Sequence, residues 1–106
     1  MAIVRWNKRP RQLWREYLLY GLNEFGKTTA IRFVNKTNRV VAQLEKYPET
    51  GFPEPLLKGK DKVYRAYHQL PHLKIIYRFF PSSETVRIVD IWDTRRSPQT
   101  LKKRIK

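Results

Sequence analysis

The residues with chemistry to offer are mostly cations, gathered in the second half of the chain. Arg65 and Tyr67 lie two apart, and Lys74 and Arg78 lie four apart with Ile76 between them. Arg95 and Arg96 follow an apolar run, and Lys102, Lys103, Arg104 and Lys106 end the sequence with no carboxylate side chain after Arg95. Clustered guanidinium and ammonium groups suit phosphate, because arginine presents a planar fork to two oxygens and lysine a point charge. Groups able to move a proton are scarcer. Arginine stays protonated at neutral pH, and Lys74 could act as a base only if clustered cations lowered its pKa. Tyr67, His68 and His72 complete that set. His68 should point opposite to Tyr67, toward the packed side, as a structural residue, and His72 should be exposed at a turn. Two histidines without a clear third ligand make no metal site, and no cofactor is expected.

The whole sequence fits this bias. It has 106 residues, with 23 Lys+Arg against 9 Asp+Glu and a formal net charge of +14. That length allows a single domain, residues 1–106, with one modest core. At 41% apolar and 13% aromatic the composition is globular. A field this positive attracts polyanions, nucleic acid first and an acidic protein second. With no cysteine there is neither a disulfide framework nor a thiolate metal site. The N-terminal MAIVRWNKRPRQ lacks an apolar core of signal-peptide length, and no apolar run approaches the ~20 residues of a membrane span. The expected location is the cytoplasm, with no membrane partner.

The elements that must position these side chains read as follows. Residues 2–6 form a short extended run. Asn7 is placed to cap a helix that tolerates Pro10 in its first turn. Leu13, Trp14, Tyr17, Leu18 and Leu22 then recur at helical spacing, and Glu24-Phe25-Gly26 ends the helix. A second helix over Lys27–Lys46 carries an apolar stripe of Ala30, Phe33, Thr37, Val40, Val41 and Leu44, with Arg32, Lys36 and Arg39 on its solvated side. Residues 47–62 hold three prolines and two glycines and are expected to lack regular structure, ending in the run Lys58, Lys60, Lys62. Residues 63–70, Leu73–Phe80 and 85–92 read as a three-stranded antiparallel meander. Ser97-Pro98 can open a short C-terminal helix. The fold class is α+β, in the order β-α-α-β-β-β with a basic tail.

Side chains alternate along a strand. If the polar sides of the strands coincide, Arg65, Tyr67, Lys74, Arg78 and Arg96 meet on one concave sheet surface opposite the helices. Arg95, Lys102 and Lys103 would complete one side of that anion-holding surface. Tyr64, Ile75, Tyr77, Phe79, Ile88 and Val89 are expected in the core, as are Trp6, Trp14 and, more than as a stacking platform, Trp92. Ion pairs with Arg95 or Arg78 would explain Asp90 and Asp93.

The ordered set "VRW" before a helix, "LEKYPETG", "VYRAY", "LKIIYRF" and "IVDIWDTRRSP", covering nearly the whole chain, resembles the RelE/ParE superfamily of bacterial type II toxins. The resemblance implies a small twisted antiparallel sheet with a helical hairpin on one side, and a cognate antitoxin, with an acidic amphipathic segment, that wraps the toxin. Operator DNA would be reached only through the antitoxin. Some members cleave messenger RNA on the ribosome without a metal. Others poison DNA gyrase by binding alone.

For cleavage, the resemblance implies that Arg65, Lys74 and Arg96 hold and neutralise a phosphate during transfer to the neighbouring 2′-hydroxyl, while Tyr67 orients or exchanges a proton. Relatives commonly have arginine at Lys74, and Arg95 is the alternative register for Arg96. A C-terminal tyrosine of the best-known branch has no counterpart; its position falls near Lys102. An mRNA endoribonuclease is the first expectation, on the strength of these positions. A gyrase-binding toxin is the alternative, which "DTRRSP" and the missing tyrosine favour. A degenerate member that binds only antitoxin and operator is the third.

Overall fold

The computed structural model describes residues 1–59, 62–96 and 98–105. Lys60 of the lysine run, Ser97 at the expected start of the last helix and Lys106 of the tail lie outside the described residues.

Helix α1 (Lys8–Phe25) and helix α2 (Lys27–Lys46) are joined by Gly26 alone. Its φ of 90° lies in the region where a Cβ is unwelcome, and its N–H donates to the Leu22 carbonyl at 3.0 Å. α2 buries Ala30, Phe33, Thr37, Val40 and Leu44, five residues of the predicted stripe. Thr37 ties three elements together. Its hydroxyl donates to the Phe33 carbonyl at 3.0 Å and accepts from Trp14 Nε1 at 2.8 Å and Gln69 Nε2 at 2.5 Å. Asn7 holds the N-cap position with extended backbone, but its side chain caps nothing; it accepts from Arg87 at 3.0 Å instead.

Among the described residues five strands form one sheet in the order β1-β5-β4-β3-β2. They are β1 (Ile3–Trp6), β2 (Phe52–Pro53), β3 (Arg65–Leu70), β4 (Leu73–Phe80) and β5 (Thr85–Asp93). The expected meander is the antiparallel trio β3, β4 and β5, and β1 joins it parallel to β5. The proline-rich loop differs from expectation. Phe52–Pro53 pairs with β3 as an edge strand, where a proline costs no ladder bond, and Pro55–Leu57 forms a 3-10 turn. Gly51 makes this possible, because a Cβ there would sit 2.6 Å from both the Ala66 carbonyl oxygen and Tyr77 Oη.

The sheet has a core on each side. Toward the helical hairpin pack Ala2, Val40, Leu44, Ile75, Tyr77, Val86 and Ile88, continued by Phe33, Leu73 and Ile91. On the outer side Leu57, Tyr64, Ala66, Ile76, Trp92, Leu101 and Ile105 form a second cluster. Leu101 belongs to helix α3 (Pro98–Arg104), and it and Trp92 are fully buried. The side expected to lie bare is therefore partly closed by α3 and the 3-10 turn.

Candidate functional site

Strand register decides where the predicted cations point. The two-residue turn Pro71-His72 begins a hairpin in which Leu70 faces Leu73. Continued regularly, that register would set Arg65 opposite Arg78 and Tyr67 opposite Ile76. A bulge between His68 and Leu70 shifts it by one residue, so Arg65 faces Tyr77, Tyr67 faces Ile75 and His68 faces Lys74. A slip of one residue moves every side chain to the other face. Arg65 and Tyr67 thus lie on the hairpin side, and Lys74, Arg78 and His68 on the outer side. The expected convergence of Arg65, Tyr67, Lys74, Arg78 and Arg96 does not occur. His68 also departs from expectation: it is exposed on the outer side, with its ring 5.5 Å from that of Phe52.

Each predicted residue has local partners. Arg65 donates to the Gly51 carbonyl at 3.0 Å and pairs with Glu49 at 3.5 Å. Tyr67 is half-buried against the hairpin-side core. Lys74 is almost inaccessible: its side chain is 7% exposed, that of Glu54 is 0% exposed, and Nζ reaches both Glu54 carboxylate oxygens at 2.6 Å. The same carboxylate accepts from the Leu56 N–H at the head of the 3-10 turn. Arg78 lies 4.6 Å from the Phe80 ring centre and 5.8 Å from that of Tyr64. Between Lys74 and Arg78 on the outer side, Ile76 is buried under the second core.

The C-terminal cations divide. Arg95 forks onto Asp93 at 3.0 and 2.8 Å, and its N–H adds a third bond at 2.9 Å. Those hydrogen bonds hold the Asp93 carboxyl down at about 2, well below its usual value. Arg96 is exposed, with its guanidinium 5.8 Å from the Trp92 ring centre. Arg104 pairs with Asp90, where an ion pair with Arg95 or Arg78 was expected. Burial pushes the Asp90 carboxyl up, against the opposing pull of Arg104. Lys102 and Lys103 are exposed on α3. Arg95 and Arg96 also line a groove of about 720 Å³ at the Gly26 turn end of the helical hairpin, with Tyr17, Tyr20, Phe25 and His72. Tyr20 and Phe25 are 59% and 65% exposed there. Among the described residues no group of three His, Asp or Glu is placed to hold a metal ion, and no helix is long and apolar enough to cross a membrane.

Sequence reasoning missed Glu54, the carboxylate that neutralises the would-be phosphate lysine. It also missed Arg5 and Arg87, which stand beside Arg78 on the outer side. The alternation of Arg5 with the apolar Val4 and Trp6 was the available signal.

Residues 4–98 match the family described as the ParE toxin of type II toxin–antitoxin systems, parDE. The chain belongs to that ParE toxin family. Solved structures agree on the fold of this toxin. A chain of the chromosomal ParDE system from P. aeruginosa is 15% identical with a TM-score of 0.66, covering 88% of this chain and 96% of that one. A YoeB/ParE toxin from Agrobacterium tumefaciens is 18% identical with a TM-score of 0.62, covering 87% and 98%. A chain of the intact E. coli RelBE toxin–antitoxin complex is 11% identical with a TM-score of 0.60, covering 91% and 100%. No curated protein matches the sequence. The toxin thus shares its fold with RelE-type and ParE-type chains alike.

Proposed function

We propose that this type II toxin arrests growth by binding its target, in the manner of gyrase-poisoning relatives, rather than by cleaving RNA. One observation carries the reading. Lys74, the residue assigned to hold the scissile phosphate, is buried and already held by both oxygens of Glu54 at 2.6 Å. Presenting it to RNA would leave a buried carboxylate uncompensated, at a cost of about 3–5 kcal/mol. Arg65 and Tyr67 on the opposite face of the sheet support the same conclusion, since cleavage needs cations and a proton carrier around one phosphate.

As a type II toxin the protein has a cognate antitoxin as partner. The groove with exposed Tyr20 and Phe25, rimmed by Arg95 and Arg96, offers apolar anchors and positive charge to an acidic amphipathic segment. Purified toxin is expected to block supercoiling of relaxed plasmid by gyrase and to trap linear plasmid when the reaction is stopped with detergent. Unimpeded supercoiling at saturating toxin would overturn the reading.

A further inference from the structure

The outer side of the sheet is only half covered. α3 and the 3-10 turn close the half holding Ile76, Ala66 and Trp92. On the other half, Arg5 of β1 pairs in register with Arg87 of β5, and Arg87 with Arg78 of β4. Val4 and Trp6 pack toward the hairpin-side core, as do Val86 and Ile88, so the intervening Arg5 and Arg87 point outward. Arg78 shares that side with Tyr64 of the outer core. Three arginines therefore stand abreast on three adjacent strands, spanning roughly 10 Å at the usual strand spacing.

Like charges directly across a sheet destabilise it. Yet among the described residues no carboxylate lies within ion-pair distance of Arg5, Arg78 or Arg87. Two of the three are held in place by neutral neighbours. Arg87 donates to Asn7 Oδ1 at 3.0 Å, and Arg78 lies against the Phe80 ring. Arg5 is exposed, and the other two are half-buried. Lys8 and Arg9 open α1 directly after Asn7 and carry the positive strip off the sheet.

We infer that this row is a binding surface for a nucleic-acid phosphate backbone. Three guanidinium groups abreast, two of them held by neutral neighbours, match a chain of phosphates, each of which accepts two parallel N–H donors. A single strand offers a negative charge every 3.4 Å or so along its helix axis, dense enough to engage each arginine in turn. An acidic protein segment would also want apolar anchors, and the apolar groove rimmed by Arg95 and Arg96 lies at the hairpin end, on the other side of the sheet. The row is independent of Arg65, Lys74 and Arg96, and its binding does not depend on whether gyrase is the target.

The test is fluorescence anisotropy of the purified protein with labelled 20-mer duplex DNA, single-stranded DNA and RNA, from 50 to 200 mM salt. Replacing Arg5, Arg87 and Arg78 together by Gln is expected to weaken binding roughly ten-fold or more and to reduce the log K against log salt slope by about 2 to 3. The charge-matched control, Arg32→Gln/Lys36→Gln/Arg39→Gln on exposed positions of α2, is expected to leave that slope nearly unchanged. Far-UV circular dichroism and Tm establish that both variants fold, and single Arg5→Gln, at the exposed end, is expected to lower the slope by about 1. Equal losses in row and control variants, or no loss in either, would overturn the inference. Because no gyrase is present, failure here is distinct from failure of the supercoiling assay.

Discussion

Lys74 and Glu54 give the sharpest test of the physical argument. Both side chains are nearly or fully buried, and the ammonium is shared between two oxygens at 2.6 Å. Removing one partner strands the other charge out of water, which costs about 3–5 kcal/mol. For a domain that is stable by about 5–15 kcal/mol in all, that is a large fraction. Lys74→Met alone and Glu54→Gln alone should each lower Tm by roughly 15 °C or more. The double variant removes both charges and keeps an acceptor for the Leu56 N–H. It should lose at least about 2 kcal/mol less than the two single losses combined, the coupling expected of groups in contact. Urea unfolding followed by tryptophan fluorescence, at fixed pH and salt, measures all four proteins. Additive losses, or a Lys74→Met protein within about 0.5 kcal/mol of the parent, would refute the view that Lys74 is structural.

Three further outcomes follow from the same packing. Leu101→Ala removes the fully buried side chain that seats α3 on the outer core, and should cost about 2–5 kcal/mol with a red shift of the buried Trp92 emission; unchanged stability would mean that α3 is not docked. Gly51→Ala forces a Cβ to within 2.6 Å of the Ala66 carbonyl oxygen and Tyr77 Oη, so β2 should detach and stability fall by about 1–3 kcal/mol. Asp93, hydrogen-bonded by Arg95, should titrate at about 2 in carboxyl carbon NMR. Its folded-state pKa lies below the unfolded value near 3.9, so its contribution is complete above about pH 4 and is lost as pH falls toward 2; Asp93→Asn should remove that part of the acid transition.

Much of the fold was legible because local signals and tertiary packing agree. Gly26 marks the turn, the stripe from Ala30 to Leu44 marks α2, and the Ile, Tyr and Phe content of Leu73–Phe80 marks the central strand. The site was less legible, because facing is a property of pairing. The bulge before Leu70 is invisible to alternation counting. It places both Gln69 and Leu70 toward α2, where the Gln69 amide joins Thr37, and it sends Arg65 and Tyr67 to the side opposite Lys74. A second irregularity, between Ile76 and Tyr77, gives β5 an extra residue at Val89. Glu54 was obscured for another reason. Its loop reads as structureless from its prolines, yet it docks through a two-residue strand that only β3 can define. The Arg5, Arg87 and Arg78 row comes from elements far apart in sequence and becomes visible once β1 is known to pair with β5.

The most direct measurement adds purified toxin to ribosomes translating a defined message and maps message ends by primer extension. Full-length message is the expected result, at toxin concentrations that fully block gyrase supercoiling. New ends within codons at the decoding site, abolished in the folded Lys74→Met/Glu54→Gln protein, would contradict the claim that this toxin acts by binding alone.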